Sequence, residues 1–330
     1  MRSSSDSSSD ETDEDELTDI VAGVDGGQQA SRLPVVWGIC SRPGTDAKKN
    51  TNENAEKFFV KDCAMRDDGK LLAAVCDGHG PNGRAAAKFV TKRIVKAIQK
   101  EETERGTQVA IKEAFIAVNQ DLGISDIDVY VSGCTCCMVY LQEGGELNIA
   151  NVGDSRAMLV GEDEQGEPKT MKLSNEHRPD RPDEMARIVN AGGRVFDWGV
   201  PRVWLQDLDM PGLSMSRSFG DLAAETVGVY AEPELVQTTI SASDKLLVLA
   251  TDGVWEFMTE SDVAELLLPL VEGGDAQDAA EQLVQEAARR WEENEEMVDD
   301  ITCIVFFLYH GDAARQKEAD AESIGGSSTD

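Results

Sequence analysis

Positive charge is scarce in this sequence. Its 330 residues hold 31 Lys and Arg against 63 Asp and Glu, a formal charge of −32. A chain so acidic is not expected to bind nucleic acid or an anionic membrane through bulk electrostatics. Long apolar runs are missing too: no stretch approaches the roughly 18 consecutive apolar residues of a membrane span. The N-terminus is polar and acidic, which argues against a signal or transit peptide. Arg2 stands where a myristoylation signal needs glycine. There are seven cysteines, an odd number, mostly inside apolar runs, a pattern that suits reduced thiols better than a disulfide framework. The expectation is a cytoplasmic or nuclear protein, monomeric, with no nucleic acid and no membrane as partner.

Residues 1–30 are low in complexity. Ser3-Ser4-Ser5-Asp6-Ser7-Ser8-Ser9-Asp10 runs into Glu11-Thr12-Asp13-Glu14-Asp15-Glu16. Such a segment cannot bury enough apolar surface to offset its chain entropy, so a disordered acidic head is expected. Its serines suit an acid-directed kinase, although a solubilising tail is the plainer reading. One folded domain is expected over 31–310 and a flexible tail over 311–330.

Apolar runs predict strands at Val35–Cys40, Phe58–Val60, Leu71–Cys76, Ser132–Tyr140, Leu147–Val152, Ala157–Val160, Lys245–Thr251 and Ile301–Leu308. Helical periodicity falls at Gly83–Lys100, Val109–Leu122, Ser261–Leu268 and Ala276–Trp291. Pro182-Asp183-Glu184 opens a short helix that Gly192-Gly193 stops. Gly153-Asp154-Ser155-Arg156 reads as a tight, hairpin-like turn.

Four strand ends carry an acid beside a turn: Asp77, Asp154, Asp252 and Asp299. Carboxylates delivered by rigid strands can build an oxygen-lined site for Mg²⁺ or Mn²⁺. With Asp77, the Gly78 carbonyl offers a further hard ligand, and His79 beside them can move protons near neutral pH. Each acid alone reads as a turn residue; the set suggests two cations about 3.5–4 Å apart that acidify a water for attack on phosphorus. Cys134 and Cys137 form a CxxC, but with no second ligand pair they read as buried thiols.

These residues carry a resemblance. Val75-Cys76-Asp77-Gly78-His79-Gly80, Ser132-Gly133-Cys134-Thr135, Asn151-Val152-Gly153-Asp154-Ser155-Arg156, Ser214-Met215-Ser216-Arg217-Ser218-Phe219-Gly220-Asp221, Ala250-Thr251-Asp252-Gly253 and Val298-Asp299-Asp300-Ile301 stand in one order. Together they resemble the type 2C family of metal-dependent Ser/Thr protein phosphatases. The resemblance implies an α+β fold, a four-layer α-β-β-α sandwich of two antiparallel sheets flanked by helices. It implies that Asp77 bridges two Mg²⁺ or Mn²⁺ ions, that Gly78 lends its carbonyl to one of them, and that Asp252 and Asp299 complete the coordination of the first ion. A third, weaker ion would fall to Asp154. His79 would be the general acid that protonates the leaving oxygen of a phosphoprotein substrate.

One loop departs from the pattern. Lys49 stands where a phosphate-binding arginine is expected, and lysine lacks the bidentate fork. Asn54 stands where the second metal's aspartate is expected; Glu53, adjacent and one carbon longer, could substitute. Glu256 replaces a more usual Asp. A second class therefore stays open: a phosphatase-fold protein with weak or no catalysis that binds partners. His177 reads as a structural loop histidine, His310 as chemically idle, and Arg178, Arg181 and Arg217 as packing residues or loop ion pairs, not as ligands of the substrate phosphate.

Overall fold

The structure is a computed structural model that describes residues 35–46, 62–65, 70–197 and 199–309. Two five-stranded sheets dominate it, and every pairing in them is antiparallel. The first runs in the spatial order Val35–Arg42, Ile301–Leu308, Asp244–Ala250, Arg156–Glu162, Pro168–Lys172. The second runs Glu234–Thr239, Glu146–Val152, Cys136–Leu141, Leu71–Val75, Asp62–Met65. Helices Gly83–Arg105 and Thr107–Gly123 cover the second sheet, and Ala276–Asn294 packs on the first. This is the expected four-layer sandwich.

The unbroken apolar runs follow from this layering, because a sheet buried on both faces has no polar side. Leu71, Ala73 and Val75 face the core between the sheets, with Val139, Ile149, Leu159, Leu249, Ile304 and Phe306. Leu72, Ala74 and Cys76 face the helices, with Met138, Tyr140, Val90, Ile94 and Phe115.

Two expectations need correction. Gly153-Asp154-Ser155 is not a hairpin: the strands it joins lie in different sheets, so the turn carries the chain from one layer to the other. The predicted strand Ser132–Tyr140 is broken at Thr135 into Gly133–Cys134 and Cys136–Leu141. The first piece leaves the large sheet for a small one ordered Phe219–Gly220, Gly133–Cys134, Gly78–His79. The expected strand Phe58–Val60 lies outside the described residues, as do Lys49, Glu53, Asn54 and His310.

A third apolar cluster gathers Ile188, Val203, Leu213, Met215, Val227 and Val229. Helix Pro182–Asn190 is held by Glu184, which is 1 % exposed. Glu184 accepts from Arg187 at 2.6 and 2.8 Å, from Arg217 at 2.8 Å and from the Ser216 hydroxyl. These arginine bonds outweigh burial and hold the Glu184 carboxyl well below the usual range. Arg181 pairs with Asp183 at 2.8 Å and with Glu234 at 2.9 Å, so the loop arginines are ion pairs, as expected.

Candidate active site

The site grows from the end of strand Leu71–Val75. Thr135 grips the next turn twice: its amide donates to the Asp77 carbonyl at 2.8 Å, and its hydroxyl accepts from the Asp77 amide at 3.0 Å. The same hydroxyl meets Ser155 at 2.8 Å. One threonine thereby ties the Asp77 turn to the Asp154 turn, which explains the strand break. Gly153 is required there. It sits at φ +103°, and a Cβ on it would come 2.5 Å from the Thr135 methyl.

Asp252 opens the short helix Asp252–Trp255 after strand Asp244–Ala250. Trp255 Nε1 donates to the Ala250 carbonyl at 2.9 Å and Trp291 Nε1 to the Gly253 carbonyl at 2.7 Å, which fixes the turn from both sides. A Cβ on Gly253 would lie 2.2 Å from the Asp300 carbonyl, so glycine lets this turn close on the Asp299 loop.

These turns bring the four acids together. Asp77 and Asp252 stand close enough for each carboxyl to act directly on the other. Burial raises the Asp77 carboxyl well above its usual value, and the negative charges of Asp252, Asp299 and Asp154 add to it. Burial likewise raises Asp252, with Asp154 and Asp299 adding. Asp154 is pushed up to about 6 by burial, with Glu176 and Asp299 adding. Asp299 is exposed as a residue, yet partial desolvation of its carboxyl raises it too, with Glu256 adding. Carboxylates that raise one another would be relieved by a bound cation.

Asp252 Oδ1 is buried with no hydrogen-bond partner. An orphaned oxygen among mutually repelling carboxylates is a donor set that fits a hard divalent ion. Among the described residues, no three His, Cys, Asp or Glu side chains stand close enough together to hold one ion. The four acids act on one another electrostatically, with Asp77 and Asp252 the most closely linked pair.

His79 stands on the small sheet, paired with Gly133. Its Nε2 lies 2.6 Å from Asp221 Oδ2, which also accepts from the Ser218 hydroxyl at 2.7 Å. Burial opposes charging of the ring, but the Asp221 carboxylate outweighs it and the His79 pKa is raised. Nδ1 has no protein partner. Sequence reasoning missed Asp221. Its available signal was an aspartate after glycine in Phe219-Gly220-Asp221; Asp221 sits at φ +49°, a left-handed conformation that Asp tolerates better than most side chains. Gly133 was missed as well: a Cβ there would lie 2.4 Å from Asp221 Oδ2 and 3.0 Å from His79 Nε2.

The remaining predicted residues take structural places. His177 is fully buried, accepts from the Gly153 amide through Nδ1 at 3.1 Å, and its pKa is lowered by burial. Arg156 is paired with Glu176 and Glu260. Cys134 and Cys137 are buried free thiols. A separate depression of about 790 Å³, lined by Lys172, Arg178, Arg181 and Glu234 among others, includes none of the four acids.

An antiparallel double sheet with acids at its strand ends, beside a histidine–aspartate pair, is an arrangement that suits metal-assisted hydrolysis. Comparison with known proteins narrows the class. The family model described as protein phosphatase 2C matches residues 39–295. A probable protein phosphatase 2C 72 of Arabidopsis thaliana is 38% identical over 297 residues, covering 84% of this chain and 87% of that protein. A probable protein phosphatase 2C 73 of Oryza sativa subsp. japonica is 34% identical over 280 residues, covering 73% of this chain and 66% of that protein. Among solved structures, the serine-threonine phosphatase 2C from Toxoplasma gondii superposes with a TM-score of 0.68 at 21% identity, over 84% of this chain and 100% of that one. A C. elegans sex determining protein gives 0.67 at 18% identity, over 88% of this chain and 68% of that one. At such identities the structural likeness speaks for the fold. The chain belongs to the protein phosphatase 2C family and is thereby a serine/threonine phosphatase of a metal-dependent family.

Proposed function

We propose that this chain is a working phosphatase that hydrolyses phosphoserine and phosphothreonine esters of proteins with Mg²⁺ or Mn²⁺, at the cleft of Asp77, Asp154, Asp252 and Asp299. The observation that carries the reading is the Asp77–Asp252 contact with its orphaned Asp252 Oδ1, set beside His79–Asp221. Asp77, the Gly78 carbonyl, Asp252 and Asp299 would hold two ions, and Asp154 would help with a third. When bound, such ions acidify water and offset charge on the phosphoryl oxygens.

The chain's own residues do the rest. Asp221 engages Nε2 of His79 and orients the ring. Nδ1 then remains to donate a proton to the departing serine or threonine oxygen. An alkoxide is a poor leaving group, so this proton matters most for alkyl phosphates.

A reducing cytosolic or nuclear setting and a monomeric state belong to the same proposal. The buried cysteines Cys76, Cys134, Cys136, Cys137 and Cys303, none of them in a disulfide, support the setting. The departures at Lys49, Glu53 and Asn54 lie outside the described residues, so the experiment must include them. Calorimetric titration with Mn²⁺, alongside turnover of a phosphothreonine peptide, is run on the parent, Asp252→Asn and Asn54→Asp. The proposal expects metal binding and turnover in the parent and loss of both in Asp252→Asn. A parent silent until Asn54→Asp restores it would replace catalysis with binding.

A further inference from the structure

Helix Gly83–Arg105 is a basic element in an acidic protein. From Gly83 to Lys100 the sequence holds Arg84, Lys88, Lys92, Arg93, Lys96 and Lys100, and neither Asp nor Glu. The first five are exposed, while Ala86, Ala87, Val90, Ile94 and Ile98 face the core. Arg93 lies 3.8 Å over the Phe89 ring. Among the described residues no salt bridge engages any of these five cations.

Arg84, Lys88, Lys92 and Lys96 form one i, i+4 row. Like charges at that spacing repel and weaken a helix, so the row is a local cost that a bound polyanion would reverse. The row also begins at the active site. A Cβ on Gly78 would lie 3.0 Å from the Arg84 amide and 2.4 Å from the Gly83 carbonyl. From there the helix leads away from the Asp77–His79 turn.

The spacing selects the form of the partner. Four helical residues rise about 6 Å, so the row spans roughly 18 Å from Arg84 to Lys96. Alternate residues of an extended chain lie about 6.6 Å apart. An extended peptide with an acid at every second position would match the row charge for charge. A membrane or nucleic acid fits less well, because the −32 charge repels a broad anionic surface while a single peptide touches only the ridge.

We propose that this row is a substrate-docking ridge for an extended acidic segment flanking the phosphorylated serine or threonine. The inference rests on the phosphatase reading and names a substrate class for it: phosphosites beside alternating Asp or Glu.

The test compares two phosphothreonine peptides, one flanked by alternating Glu and one by Gln, with Glu placed on either side. The parent is set against the triple variant Lys88→Gln, Lys92→Gln, Lys96→Gln, with thermal unfolding to confirm its fold. The parent should favour the acidic peptide about tenfold in kcat/KM through KM, and added NaCl should erase the preference. The triple variant should lose the preference and keep kcat on the Gln peptide. Equal kcat/KM for both peptides in the parent overturns the proposal. So does binding of anionic vesicles that the triple variant loses while peptide preference is absent. Fluorescence anisotropy with an unphosphorylated acidic peptide reads the ridge without catalysis. A parent that binds this peptide but turns nothing over fails the phosphatase reading, not the ridge; a parent that hydrolyses the Gln peptide but does not bind the acidic one fails the ridge alone.

Discussion

His79 Nε2 and Asp221 Oδ2 stand 2.6 Å apart, although 142 residues separate them in the chain. Both are placed by one small sheet that has Gly133–Cys134 at its centre. If Asp221 orients the general acid, Asp221→Asn should slow alkyl phosphates by about 10- to 100-fold. An aryl phosphate, which needs little protonation of its leaving group, should be slowed far less. Steady-state rates on both substrates check this; equal slowing would remove His79–Asp221 from proton transfer.

Gly133 leaves room for that pair. In Gly133→Ala the new methyl would press on Asp221 Oδ2 at 2.4 Å and on the Phe219 carbonyl at 2.2 Å. We expect a loss of about 1–3 kcal/mol from overpacking, with the alkyl-phosphate defect of Asp221→Asn. Urea unfolding and the same two substrates measure both.

The acid cluster trades stability for metal binding. A carboxyl raised in the folded state stabilises when protonated. That contribution is complete below the unfolded value and is lost as pH rises through the folded one, about 6 for Asp154. Without metal, the melting temperature should therefore rise as pH falls from 7 to 5. Added Mn²⁺ should raise it more at pH 7 than at pH 5, because protons compete for the same oxygens. Asp252→Asn should abolish turnover yet stabilise the metal-free chain by about 0.5–2 kcal/mol. Differential scanning fluorimetry across pH reads all three, and a destabilised Asp252→Asn would contradict the cluster.

Glu184 and Glu234 carry the opposite sign. Arginine bonds hold Glu184 low, and Glu234 is held at about 2 by the His177 ring 3.5 Å away, by the Asn175 amide that donates to it and by its pairing with Arg181. Their stabilisation is present above the usual glutamate value, about 4.3, and is lost as pH falls through the folded values. Glu184→Ala leaves Arg187 and Arg217 without their shared partner and should cost about 3–5 kcal/mol at neutral pH. The deficit relative to the parent should shrink below pH 4, a difference that acid-limb melting curves resolve.

The thiols should be bystanders. Cys76 adjoins Asp77, but Cys76, Cys134, Cys136, Cys137 and Cys303 are all 0 % exposed. Burial also raises the Cys137 and Cys303 thiols, so little nucleophilic thiolate is present. Mild alkylation should leave turnover intact where a chelator abolishes it.

Much of this was legible because doubly buried strands write themselves as apolar runs. Ile301–Leu308 and the helix Pro182–Asn190 lie where the residues alone put them. Pro168–Lys172 was not legible, since all five residues are exposed on an edge strand. Glu234–Thr239 was missed for a similar reason: it is an edge strand with no fully buried residue. The turn at Gly153 misled because two strands joined by three residues look like a hairpin whether or not they share a sheet. The acids announced themselves at strand ends, whereas Asp221 did not, because its role depends on a partner 142 residues away.

The most direct test of the account is phosphothreonine-peptide turnover against Mn²⁺ concentration for the parent and Asp252→Asn, each with and without EDTA. The account predicts saturating, EDTA-sensitive turnover in the parent and none in the variant. Turnover that survives EDTA, or that Asp252→Asn retains, would contradict it.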